Sequence, residues 1–162
     1  MSRIPLIAGN WKMNKTIPEA LETVNQLKEA IKDVSGREIV IAPSFVSLFP
    51  VAEVIRGSNI ALSAQNVFWE NKGAFTGEIS PFMLKGLGVE YVILGHSERR
   101  NYFREDNKTI NKKVRLALSS GLKVILCIGE KLTIRRKGKR AVENFLKNQL
   151  KAGLEGIKGK EL

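Results

Sequence analysis

Cysteine is nearly absent from this 162-residue chain: Cys127 stands alone, so no internal disulfide can form. That argues against a stapled secreted scaffold. Histidine is as scarce, since His96 is the only one, and one His with one Cys disfavours a conventional metal site. No apolar stretch approaches the ~18 residues that a membrane span needs. The apolar run near the N-terminus, Ile4 to Ala8, is too short for a signal peptide. Neither a Walker loop nor a Gly-x-Gly-x-x-Gly turn occurs, which removes the commonest nucleotide-binding signatures. These absences point to a cytoplasmic protein with no membrane partner.

What is present reads as globular. Apolar residues make up 43% and charged residues 27%, too apolar for wholesale disorder. The length fits one domain spanning 1–162. Charge is unevenly divided: residues 1–81 carry 8 basic and 8 acidic side chains, whereas residues 82–162 carry 19 basic and 8 acidic and hold the whole +11. The densest run, Lys131 to Arg140, has six cations in ten residues. Such a run is ordinarily a solvated approach to a helix; anion steering or a polyanion contact is its alternative. The excess is also what remains if an acidic region compensates it elsewhere in a longer structure.

Short β-branched runs recur at Ile4–Ala8, Glu38–Ala42, Ile60–Ala64, Tyr91–Gly95 and Lys123–Ile128. Each is four to six residues long and apolar on both faces, as buried parallel strands are. Helical patterns lie between them. Thr16-Ile17-Pro18-Glu19 predicts a capping box, followed by an apolar face from Ile17 through Val34 and a stop at Gly36. Ile110, Val114, Ala117 and Leu118 mark a second helix, and Val142, Phe145, Leu146, Leu150 and Leu154 a third. Segment 45–57, interrupted by Pro50, and segment 81–88 predict short helices. Five βα units in strict alternation predict an α/β fold with a parallel sheet, either doubly wound or a (β/α) barrel.

Awkward polar residues cluster just after the strand runs. Asn10-Trp11-Lys12 follows the first, Gln65-Asn66 the third, His96-Ser97-Glu98-Arg99-Arg100 the fourth and Gly129-Glu130 the fifth. Parallel α/β folds gather their C-terminal strand ends on one face, where ligands bind. Asn10, Lys12, His96 and Glu98 are therefore expected to converge. Lys12 offers a cation for a phosphate or a developing oxyanion. His96 can polarise a carbonyl or shuttle protons. Glu98 is either a base or a tether for Lys12, and Asn10 supplies a neutral donor and acceptor. Each also has a structural reading: a packed histidine, a solvated lysine, an ion-paired glutamate.

At these positions the chain resembles the triosephosphate isomerase family. Ala8-Gly9-Asn10-Trp11-Lys12-Met13-Asn14 is similar to that family's first loop. Ala64-Gln65-Asn66-Val67 and Gly73-Ala74-Phe75-Thr76-Gly77-Glu78-Ile79-Ser80 are similar to its third. Tyr91-Val92-Ile93-Leu94-Gly95-His96-Ser97-Glu98-Arg99-Arg100 resembles its fourth-strand signature, and Ile125-Leu126-Cys127-Ile128-Gly129-Glu130 its fifth. The resemblance implies a TIM barrel interconverting dihydroxyacetone phosphate and glyceraldehyde 3-phosphate, with no cofactor. It implies that Asn10 and Lys12 contact the phosphorylated triose and that His96 is the electrophile that stabilises an enediolate. Glu98 and Ser97 would support them. The loop of Thr76, Gly77 and Glu78 would dock on a second copy in a homodimer.

The family's catalytic carboxylate follows a sixth strand, and its phosphate-binding turns follow the seventh and eighth; no residue of 1–162 matches them. The fold expected is therefore an incomplete barrel of about five βα units. Its first and last strands would be open edges, making the chain marginal, self-associating, or dependent on a complementary C-terminal fragment. The expected activity of this polypeptide alone is close to nil. Two other readings remain: a non-catalytic half-barrel that holds a polyanion, and a structural subunit completed by a partner chain. The absence of an RNA-binding motif weighs against nucleic acid.

Overall fold

The computed structural model describes residues 3–159. Five strands form one parallel sheet: β1 (Leu6–Asn10), β2 (Glu38–Ala42), β3 (Ile60–Ala64), β4 (Tyr91–Leu94) and β5 (Lys123–Leu126). Their spatial order is their order in sequence. A doubly wound sheet must reverse its strand order at a switch point. Here every crossover advances one strand in the same direction, so the sheet curls as an open half-barrel. That settles the choice that periodicity left open.

The helices are α1 (Ile17–Ile31), α2 (Leu48–Ile55), α3 (Pro81–Gly86), α4 (Ser97–Tyr102), α5 (Asn107–Ser119), α6 (Leu132–Arg135) and α7 (Lys139–Gly153), with a 3₁₀ turn over Phe45–Ser47 before α2. The capping box of α1 forms: the Glu19 carboxylate accepts from the Thr16 amide at 2.7 Å and from its hydroxyl at 2.8 Å. Pro50 is tolerated because it is the third residue of α2, inside the first turn, where no intrahelical N–H is required.

Several boundaries differ from the sequence reading. β1 starts at Leu6 rather than Ile4, because Pro5 has no N–H for the ladder and instead accepts from the Glu38 amide through its carbonyl. At its other end β1 runs past Ala8 to Asn10, which pairs with Ala42. β4 and β5 stop at Leu94 and Leu126, and Gly95 turns the chain away with φ +73. α1 ends at Ile31, leaving Val34 in the following turn, where its amide donates to the Ile31 carbonyl. The helices α4 and α6 were not expected from the sequence at all.

The core lies between the sheet and its helical layer. Val24 of α1, Val51 of α2, Leu62 of β3, Leu84 of α3, Leu94 of β4 and Ile110 and Val114 of α5 are essentially solvent-free. All four residues of β4 are buried. The strand that precedes His96 is thus the best-anchored in the sheet. At the N-terminal strand ends, the Tyr91 hydroxyl donates to Glu38, and Lys123 Nζ lies 3.0 Å from that hydroxyl, tying β2, β4 and β5 together. The flanks are wetter, as open edges require. In β1, Leu6 and Ile7 are 43% and 54% exposed, β5 is at most half-buried, and Leu150 of α7 is also exposed. Each such side chain forgoes part of the ~1.5–3 kcal/mol that full burial supplies. The cationic run Lys131–Arg140 covers α6 and the start of α7 and is almost wholly exposed.

Candidate active site

The C-terminal ends of β1, β3 and β4 enclose a cavity of about 580 Å³ lined by Asn10, Lys12, Gln65, His96 and Glu98, among others. The four residues expected to converge do so. Their placement starts with the backbone of Lys12, a non-glycine residue at φ +53. That left-handed conformation costs on the order of 1–3 kcal/mol and persists only where neighbours enforce it. Two side chains do so here. Asn10 Oδ1 accepts from the Lys12 amide at 3.0 Å, and Gln65 Nε2 donates to the Lys12 carbonyl at 2.9 Å. The same Gln65 amide donates to the Ala42 carbonyl at 2.8 Å, so the end of β3 holds both β2 and the loop after β1.

The Lys12 ammonium reaches Glu98 Oε1 at 2.8 Å. This contact, with His96 nearby, holds the Glu98 carboxyl below its ordinary pKa. A carboxylate stabilised as an anion is a poor proton acceptor, so Glu98 suits the tether role better than the base role. It fixes the ammonium beside the cavity.

His96 caps α4: its Nδ1 accepts from the Glu98 amide at 3.3 Å. Glu98 Oε2 also lies 3.4 Å from Nδ1, but a nitrogen lone pair engaged by an N–H has no proton to give a carboxylate. In the neutral ring the proton therefore resides on Nε2, the nitrogen left free to donate to a bound carbonyl. The backbone that leads into His96 is held at the C-terminal end of β4 by Arg100, whose Nε donates to the Gly95 carbonyl at 2.7 Å and whose Nη1 donates to Asn107 Oδ1 at 2.7 Å. A Cβ at Gly95 would lie 2.9 Å from that guanidinium and 3.0 Å from the Cys127 carbonyl. Only glycine fits there.

Behind this layer, Glu105 Oε1 accepts from Arg99 Nε at 2.7 Å and from Lys113 Nζ at 2.6 Å, and Lys113 also donates to Asn66 Oδ1 at 2.8 Å. Burial lowers the pKa of the Lys113 ammonium, and the bond to Glu105 opposes that shift. The network joins the loop after β3, the end of α4 and the middle of α5. Sequence reasoning missed Arg100, Glu105 and Lys113 and left Gln65 out of the site. A signal existed for Lys113: it shares the apolar face of α5 with Ile110, Val114 and Ala117, where a solvated lysine does not belong.

Ser97 opens α4 and is exposed, outside the cavity lining. Thr76, Gly77 and Glu78 form an exposed turn, in which the Glu78 amide donates to the Phe75 carbonyl at 3.0 Å, and none of them lines the cavity. Among the described residues, no group of three or more His, Cys, Asp or Glu side chains is placed to hold a metal ion, and no helix is long and apolar enough to cross a membrane.

Comparison with known proteins follows the same lines. The family model for triosephosphate isomerase matches residues 5–162. Triosephosphate isomerase of Caldanaerobacter subterraneus subsp. tengcongensis is 51% identical over 160 residues, covering 99% of this chain and 63% of that protein. Its counterpart in Thermoanaerobacter pseudethanolicus is 52% identical over 155 residues, 96% of this chain and 61% of that one. The crystal structure of triosephosphate isomerase from Bartonella henselae superposes with a TM-score of 0.89 at 36% identity, over 96% of this chain and 64% of the other. The chain thus spans less than two thirds of the length of these relatives.

Proposed function

The chain belongs to the triosephosphate isomerase family, and from that membership we propose that its cavity binds a three-carbon phosphate for aldose–ketose isomerisation. Dihydroxyacetone phosphate and glyceraldehyde 3-phosphate are the pair interconverted. Starting from the ketose, a base removes a proton from C1, the C–H electron pair becomes the C1–C2 double bond, and the C2 carbonyl oxygen takes up the charge. His96 Nε2–H donates to that oxygen. Lys12 Nζ supplies the fixed positive charge, Asn10 orients substrate, and Glu98 keeps the ammonium in place. Donors aimed where charge develops are among the largest contributions to such catalysis.

The observation that carries this reading is the pairing of an enforced left-handed Lys12 with a His96 whose Nδ1 is engaged, both on one cavity. A structural lysine needs no such backbone, and a structural histidine needs no free Nε2. The polypeptide of residues 1–162 contains no counterpart of the family's base or phosphate-binding turns, so in our reading it binds its substrate far better than it turns it over. A complementary C-terminal fragment would supply what it lacks, and the turn of Thr76, Gly77 and Glu78 would meet a second copy in a homodimer.

Binding of 2-phosphoglycolate, a two-carbon mimic of the enediolate, tests the assignment by calorimetry. Lys12→Met should weaken binding by roughly 10- to 100-fold, the worth of about 1.5–3 kcal/mol for a charge-assisted hydrogen bond. Equal affinity in the two proteins would remove Lys12 from the site.

A further inference from the structure

A second cavity, of about 480 Å³, opens on the outer side of α5 and shares no residue with the one at Lys12 and His96. Three separate segments build it: Trp69 and Glu70 from the loop after β3, Lys112, Arg115 and Ser119 from α5, and Gly156 with Ile157 beyond α7. Leu116, Leu118 and Ile157 give it an apolar floor. Its size lies in the ordinary range of small-molecule sites, ~300–1,000 Å³.

The wall and the mouth differ in chemistry. Trp69 is half-buried, and its indole packs against Phe68 with centroids 4.0 Å apart, while Phe68 in turn packs on Phe75 at 4.7 Å. An indole fixed in that way presents its surface at little entropic cost. Lys112 Nζ lies 5.7 Å from the indole centroid, so the cation is already held at the aromatic wall. Arg115 is one helical turn further on and exposed, with its guanidinium beside Gly156; a Cβ at that glycine would lie 3.8 Å from Nη1. Among the described residues neither cation forms an ion pair with a carboxylate, in contrast with Lys113 on the buried side of the same helix.

We propose that this cavity is a binding site for a nucleoside monophosphate or a closely similar aromatic phosphate monoester. Lys112 and Arg115 take the phosphate, the guanidinium supplying a two-pronged donor and the ammonium a compact charge already placed at the wall. The ring of the ligand lies against Trp69 and the apolar floor. Glu70, which lines the same cavity, disfavours a bare phosphate and accepts from sugar hydroxyls or an exocyclic amine. An aromatic wall, two cations without an ion pair among the described residues and one carboxylate acceptor together match a ligand with a ring, an anion and hydroxyl donors.

Fluorescence tests this directly, because the chain has only two tryptophans and Trp11→Phe leaves Trp69 as the sole reporter. Titrating the Trp11→Phe chain with AMP should quench the indole saturably, with a midpoint below about 1 mM, equivalent to at least ~4 kcal/mol of binding. Replacing the two exposed cations, Lys112→Gln with Arg115→Gln, should raise the midpoint at least tenfold, whereas Lys12→Met should leave it unchanged. Adenosine and ribose 5-phosphate, each lacking one half of the ligand, should bind at least tenfold more weakly than AMP. Absence of saturable quenching, indifference to the double replacement, or either half-ligand binding as well as AMP would overturn the proposal.

Discussion

The backbone of Lys12 is bent into a region that a lysine does not choose, and two neighbours are committed to keeping it there. Asn10 holds its amide and Gln65 its carbonyl. Glu98 then anchors the ammonium, and the amide of that same residue occupies His96 Nδ1. One glutamate thus sets the direction of both functional groups. Because His96 is the chain's only histidine, its ring nitrogens can be observed without assignment. Nitrogen NMR should find the proton of the neutral ring on Nε2, with a shift at that nitrogen on adding 2-phosphoglycolate. A proton on Nδ1 would remove the amide contact on which the electrophile assignment rests. Asn10, Lys12, His96 and Glu98 were legible because they follow β-branched runs and are chemically out of place there. Gln65 and Arg100 stand in the same post-strand clusters, but nothing in a single sequence shows that they bond the backbone carbonyls of Lys12, Ala42 and Gly95.

Element formation was legible wherever periodicity or a cap was strong. The box at Thr16 and Glu19 and the stripe of α5 are in the sequence and in the fold. The six residues of α4, Ser-Glu-Arg-Arg-Asn-Tyr, have no apolar face, and the four of α6 are too few to display one. Both helices are set by tertiary contacts and caps rather than by pattern. The cap of α5 is open to test, because Asp106 Oδ1 accepts from the Thr109 amide at 2.7 Å. That bond holds the Asp106 carboxyl below its ordinary pKa. A depressed folded pKa contributes stability that is present above the unfolded value of about 3.9 and is lost as pH falls through the folded value. In chemical denaturation at pH 7, Asp106→Ala should cost about 1 kcal/mol and Asp106→Asn much less, since asparagine still accepts from Thr109. Below the folded pKa the gap between wild type and Asp106→Asn should close. An alanine variant as stable as wild type at pH 7 would show that the cap does not hold α5.

At the scale of the molecule, alternation alone predicted a parallel α/β fold, and the sequential strand order decided for a curled half-barrel over a doubly wound sheet. The same order accounts for the wet apolar side chains of the two flanks, though not for Phe49, Phe82 or Phe103, which are exposed on interior units. Leu6 and Ile7 lie on the first strand and Leu150 on the last helix, the two flanks with no neighbouring βα unit among the described residues. The face that carries the Lys12–His96 cavity is nevertheless assembled, because β4, with His96 just beyond it, is flanked by β3 and β5. In the function we propose, binding and turnover are separable: Asn10, Lys12 and His96 line one cavity, whereas the proton acceptor would come from a complementary fragment. A positioned base contributes ~10²–10⁴-fold by itself. The most direct test is the isomerisation rate of the purified polypeptide 1–162 with dihydroxyacetone phosphate, measured beside His96→Gln. The rate should lie near the uncatalysed background, and the substitution should leave it unchanged. Appreciable turnover abolished by His96→Gln would contradict that expectation, by showing that the chain carries a base of its own.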